Sequence, residues 1–120
     1  MSEAIRDIRL HKRPRVVDKA AQRKAAEAVW REVCRLVEIR DRLFCRACRR
    51  RVVKTLSLVP ERLEHHHVIP RSCGGLDTES NVAIVCQGCH SDRHITRTLS
   101  MLGRADQVLR FERDGKVWHG

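Results

Sequence analysis

Tyrosine is absent from these 120 residues, and the other aromatics come to two Trp and two Phe. Proteins that read unpaired bases stack them on aromatic rings. So few rings suit a chain that grips the backbone of a duplex. Long apolar runs are missing too. None approaches the ~18 residues that suggest a membrane span, so no membrane contact is expected. The opening MSEAIRDIRLHKRPR carries charges where a secretory segment would have an apolar centre. The expected compartment is therefore a reducing one, the cytoplasm. There, cysteines read first as metal ligands rather than disulfides. Acidic residues are in short supply: 15 Asp and Glu stand against 25 Lys and Arg, a net charge of +10. That surplus favours polyanionic partners through counterion release, although it names no activity.

What is present suggests an α+β chain, one domain overall, in four stretches. Residues 1–17 form a basic arm suited to ordering on nucleic acid. Residues 18–43 read as a long helix with Asp18 as N-cap. Its apolar stripe is Ala26, Val29, Trp30, Val33, Leu36 and Val37, on which Trp30 and Cys34 read as core. Residues 44–102 hold the chemistry. They comprise a tight turn at Cys45 and Cys48, a β-rich run at 52–59, a strand at 63–69 and a glycine-bearing loop at 70–81. A short apolar strand at 82–85 follows, then a helix from near Gly88 to about Leu102. Residues 103–120 read as a C-terminal hairpin turning at Asp114-Gly115. A chain this short buries a modest core, so a structural metal would help it fold.

Cys45-x-x-Cys48 and Cys86-x-x-Cys89 together offer four thiolates, the donor set of a closed tetrahedral zinc site. A disulfide exchanger needs only one such pair. The second group is His65-His66-His67, then Asn81, then His90 and His94. His90 and His94, at i and i+4, share a helix face, and neutral imidazoles are ordinary metal ligands. Cys89 and His90 are neighbours about 100° apart around a helix, so they point toward different sites. A Cys2His2 finger would need a spacer of about 12 residues, where about 40 separate the pairs here. A zinc protease would need His-Glu-x-x-His, which HSDRH is not.

The stretch EHHHVIPRSCGG…ESNVAIVCQGCHSDRH resembles the HNH endonuclease motif. The resemblance runs from Cys45 to His94 and is to the cysteine-bearing, McrA-type members. It implies a ββα-metal core with a zinc ribbon, preceded by the long helix and followed by the hairpin. It also implies hydrolysis of DNA phosphodiester bonds by a one-metal mechanism. His67 matches the general base, and Asn81 the residue that braces the loop and orients it. His66, His90 and His94 match the ligands of the catalytic ion, with His66 where many members have Asp. Without that Asp, Mn²⁺, Ni²⁺ or Zn²⁺ become credible beside Mg²⁺. Because neighbours on a strand face opposite ways, a bulge or twist must bring both His66 and His67 to the ion. Arg71, Lys54, Arg93 and Arg97 are candidates to hold phosphates, and Cys73 reads as an inert loop thiol. The expected partner is double-stranded DNA. The alternatives are a non-catalytic zinc-ribbon module that binds nucleic acid, and a nuclease acting on RNA.

Overall fold

The structure is a computed structural model and describes residues 18–120, so the basic arm expected at 1–17 lies outside the described residues. Helix α1 spans Lys19–Asp41. Asp18 caps it as expected: its carboxylate accepts the Ala20 N–H at 2.9 Å, satisfying one of the free donors of the first turn. The helix ends where Arg42 and Leu43 take left-handed backbone angles, φ 55° and 58°, and turn the chain into the first cysteine pair. The apolar stripe is used only in its second half. Val33 and Val37 are buried, Trp30 and Leu36 half-buried, and residues 19–29 exposed.

Strands β1 (Leu63–His67) and β2 (Val82–Cys86) pair antiparallel, with His66 opposite Ala83 and His67 opposite Val82. All five residues of β2 are buried. β1 covers one edge of β2, and on the other the Arg46 amide of the cysteine turn donates to the Ile84 carbonyl at 2.9 Å. Helix α2 (Gln87–His94) begins directly after β2. The order β1, β2, α2 is the ββα arrangement, with the long α1 laid across β2.

Three boundaries differ from the sequence reading. Residues 52–59 form no strand: Val53 makes an isolated parallel bridge to Arg62, and Leu56 is 98% exposed. Their β propensity is real, but no neighbouring strand offers a surface for them to pack on. β1 stops at His67, because Asn81 takes over the next two amides, Val68 through its backbone carbonyl and Ile69 through its side chain. α2 stops at His94, well short of Leu102. There the Asp92 carbonyl accepts from the Thr96 hydroxyl and from the Thr98 and Leu99 amides, and Arg97 turns left-handed. The freed Ser100–Leu102 becomes β3, which joins β4 (Arg110–Arg113) and β5 (Lys116–His119) in a three-stranded sheet. The β4–β5 turn falls at Asp114 and Gly115, both at positive φ, as a tight hairpin requires. Phe111, Leu109, Met101 and Leu99 bury this sheet, and the Trp118 indole N–H donates to the Ala47 carbonyl at 2.8 Å.

Asp41 ties these parts together, and the sequence reading did not single it out. Its Oδ1 accepts from Arg40 Nε at 2.8 Å and from the Arg46 guanidinium at 3.0 Å. Its Oδ2 accepts from Arg40 at 2.9 Å and from the buried Ile84 amide at 3.0 Å. Arg46 also donates to the carbonyls of Ala105, Gln107 and Gly120. Replacing Asp41 with Ala leaves Arg46, whose side chain is 15% exposed, without its counter-charge. The expected cost is about 3–5 kcal/mol, the usual result of removing one partner of a buried ion pair. Denaturant unfolding measures it. A loss below about 1 kcal/mol, the worth of a surface pair, would show that Asp41 is no hub.

Candidate metal centres

The sulfurs of Cys45, Cys48, Cys86 and Cys89 all lie within 4.8 Å of one another. They come from two tight turns, one after α1 and one at the β2–α2 junction. Cys48 Sγ and Cys86 Sγ are 3.7 Å apart. A tetrahedral zinc with ~2.3 Å bonds would hold its sulfurs ~3.8 Å apart. Two amides point at the cluster, Cys48 N toward Cys45 Sγ (3.5 Å) and Cys89 N toward Cys86 Sγ (3.4 Å). Hydrogen bonds from Cys45 and Cys89 draw the Cys86 thiol below the ordinary range, and Cys89, held as a donor, is pushed up. The six cysteines are free thiols. Four convergent sulfurs, already favouring a thiolate and facing amide donors, fit a zinc ion.

His66, His90 and His94 form a second cluster, each offering a ring nitrogen within 4.8 Å of the others. His66 comes from β1; His90 and His94 come from one face of α2. His94 Nε2 lies 3.2 Å from His66 Nδ1. His66 is buried, and its Nε2 has no hydrogen-bond partner. Burial, with His94 and His90 adjacent, pushes the His66 pKa down to about 3. Burial also lowers that of His94. His66, buried and with its Nε2 unpartnered, is thus held neutral beside His90 and His94. Three ring nitrogens that converge from two elements, one of them on a buried ring, fit a divalent cation. Cys89 and His90, one residue apart, belong to different clusters, as the helical rotation implied.

His67 does not join this triad. β1 pairs in regular register with no bulge, so the twist expected to bring both histidines to one ion is absent. His67 turns to the α1 face, where its ring stacks on Trp30 (centroids 5.0 Å apart, planes at 12°). Its Nε2 bonds Asp77 Oδ1 at 2.7 Å, and the side chain is 14% exposed. Trp30, expected as plain core, is instead the wall against which His67 and, edge-on, His65 lie. Asn81 is where the brace was expected. It accepts the Ile69 amide at 2.8 Å and donates to the Ile69 and Leu76 carbonyls at 2.9 and 3.0 Å. The loop it clasps needs a glycine: a Cβ on Gly75 would sit 1.7 Å from the Ile69 carbonyl oxygen.

The four candidate phosphate-holding residues divide. Lys54 pairs with Glu38 at 2.7 Å, and Arg71 forks onto Asp77 at 2.9 and 3.1 Å. Arg93 and Arg97 have no ion-pair partner among the described residues. Cys73 is exposed in the loop. Asp77 was missed, because an Asp in a glycine-rich loop carries only a turn signal in sequence.

Both clusters fall within one stretch of chain. Residues 45–95 match the HNH endonuclease family. The type IV methyl-directed restriction enzyme EcoKMcrA of Escherichia coli K12 is 45% identical over 40 residues. That overlap is 33% of this chain and 14% of the restriction enzyme's length. No solved structure matches. The HNH match and this relative support a nuclease. No helix among the described residues is long and apolar enough to cross a membrane.

The sulfur cluster of the HNH segment gives a direct expectation. Dialysed protein should retain one zinc ion per chain by elemental analysis. Cys45→Ser should lower zinc content and melting temperature together, since ligand binding contributes to folding itself. Wild-type protein that holds no zinc yet melts no lower than zinc-loaded protein would overturn the assignment.

Proposed function

We propose that this chain is an endonuclease that hydrolyses DNA phosphodiester bonds, with His66, His90 and His94 holding one divalent ion and His67 acting as general base. The observation that carries this is the convergence of ring nitrogens from His66, His90 and His94, with His66 buried, inside the segment that matches the HNH family. An ion in this triad would stabilise charge on the phosphate and on the leaving oxygen. Three nitrogens without a carboxylate suit Mn²⁺, Ni²⁺ or Zn²⁺ better than Mg²⁺.

The chain's own groups have distinct tasks. His67, as an imidazole, suits accepting a proton from the attacking water. Asn81 clasps the loop that follows His67 and so fixes the end of β1. Arg93 and Arg97 have no carboxylate partner among the described residues and would be available to phosphates. DNA as substrate is supported by the likeness to a methyl-directed restriction enzyme and by the net charge of +10.

Plasmid incubated with Mg²⁺, Mn²⁺, Ni²⁺ or Zn²⁺ and run on a gel tests the proposal. Cleavage should depend on the ion. His67→Ala should lose about 10²–10⁴-fold in rate, the worth of a positioned base, with no recovery at any ion concentration. His66→Ala and His90→Ala should also lose activity but recover in part with excess ion. No cleavage under any ion would reduce the chain to a nucleic-acid-binding module. A His67→Ala variant at the wild-type rate would remove His67 from the chemistry.

Binding offers a separate check. The logarithm of DNA affinity should fall linearly with the logarithm of salt concentration, because phosphate contacts release counterions. A flat plot would rule out recognition led by the DNA backbone.

A further inference from the structure

We infer that Asp77 is the positioning residue for His67, fixing its ring in the Nε2–H tautomer so that Nδ1 is the free acceptor. This rests on the reading of His67 as base and adds to it a residue that no motif marks.

The geometry is a closed circuit of four side chains. Asp77 Oδ1 lies 2.7 Å from His67 Nε2. Arg71 forks onto the same carboxylate from its other side, at 2.9 and 3.1 Å. The Arg71 guanidinium in turn lies over Trp30, 4.8 Å from the ring centroid. Trp30 stacks on His67 at 5.0 Å and closes the circuit. The Arg71 guanidinium also holds the Asp77 carboxyl below the ordinary carboxylate range. An ionised carboxylate can only accept, so the ring nitrogen facing it must carry the hydrogen. In a neutral imidazole that leaves Nδ1 with the lone pair. No protein group among the described residues hydrogen-bonds Nδ1, and it is not among the enclosed, unpartnered atoms. Nδ1 also lies on the Cβ side of the ring, toward β1.

The chemistry then balances simply. A water O–H gives its proton to Nδ1 as the water oxygen forms its bond to phosphorus. The leaving oxygen departs with the electron pair of the broken bond and takes a proton from solvent. Nε2–H stays with Asp77, which stabilises the imidazolium without accepting its proton. His65 on the same face shows the contrast. Its carboxylate, Glu38, is shared with Lys54 and lies 3.2 Å away. No fork and no parallel ring hold that histidine.

The test uses the full chain loaded with zinc, in two measurements. Imidazole ¹⁵N shifts of labelled protein report the His67 tautomer directly. Wild type should show Nε2–H, and Asp77→Ala a mixture. Plasmid-cleavage kinetics report the rest. Asp77→Asn keeps the shape but can offer an N–H where the ring needs an acceptor. Its kcat should fall about 10²-fold or more, within the range for a positioned base. KM, zinc content and melting temperature should stay near wild type, and Asp77→Glu should recover part of the rate. A purely structural Asp77 would change melting temperature and leave tautomer and kcat alone. An Nδ1–H tautomer in wild type, or a wild-type kcat in Asp77→Asn with His67→Ala inactive, overturns the inference. Full activity in His67→Ala would sink the base reading instead, while the shifts still decide whether Asp77 sets the tautomer.

Discussion

Asp41 sits in the last turn of α1 with its side chain 2% exposed, and both its oxygens are occupied by two guanidinium groups and the Ile84 amide. A carboxylate there opposes the helix dipole, so these donors must outweigh that cost as well as the cost of burial. Their effect is to hold Ile84, the middle residue of β2, from two directions. Asp41 takes its N–H, and the cysteine turn takes its carbonyl through Arg46. β2 held this way is the template on which β1 sets its register. A slip of one residue along β1 would exchange the faces of His66 and His67. The strand that decides which histidine meets His90 and His94 is thus held by a contact on the sheet's other edge, at the residue opposite His65.

Much of this was legible in short-range pattern. The Asp18 cap, the C-x-x-C turns, the buried VAIV strand and the Asp-Gly hairpin turn each rest on a few adjacent residues, and each appears. The i, i+4 pair on α2 and the Cys89/His90 division follow from helical rotation alone. The failures have other causes. VVKTLSLV has the composition of a strand, but pairing requires a partner edge that composition does not reveal. The end of α2 depends on the Asp92 carbonyl collecting three donors from residues 96–99. Asp41 is defined by its contact with Ile84 and Trp30 by its stacking on His67, both across tens of residues, while Asp77 meets Arg71 and His67 within its own loop and strand end but carries only a turn signal in sequence. Strand alternation did predict that His66 and His67 diverge. The bulge invoked to reunite them is not there.

Cys86 couples the two metal-binding clusters. It ends β2, caps α2 by accepting the Cys89 amide, and contributes a sulfur to the four-cysteine set. The first turn of α2 is therefore anchored through the same atom that would bind zinc. His90 lies in that turn's continuation, one residue beyond Cys89. Loss of the sulfur cluster would free the N-terminal end of α2 and blur the spacing of His90 and His94 against His66. The two candidate ion sites are joined by one short helix, and the order of the sequence, Cys-x-x-Cys-His, is that joint written out.

The separation of His67 from the triad is consistent with the proposed chemistry. In-line displacement at phosphorus places the attacking oxygen and the leaving oxygen on opposite sides of the reacting centre. A base and a charge-stabilising ion on the same face of the hairpin would crowd the same side. Among the described residues β1 is an edge strand, with no strand paired to it beyond β2. A phosphodiester lying along that open edge, near His66 and His67, would meet the triad's face on one side and the His67 face on the other. On this reading the alternation of the strand does the work that a bulge was invented to avoid. Two adjacent histidines would then serve two roles because they point apart, and Asn81 and Gly75, by clasping the loop just beyond them, fix the end of the strand on which both depend.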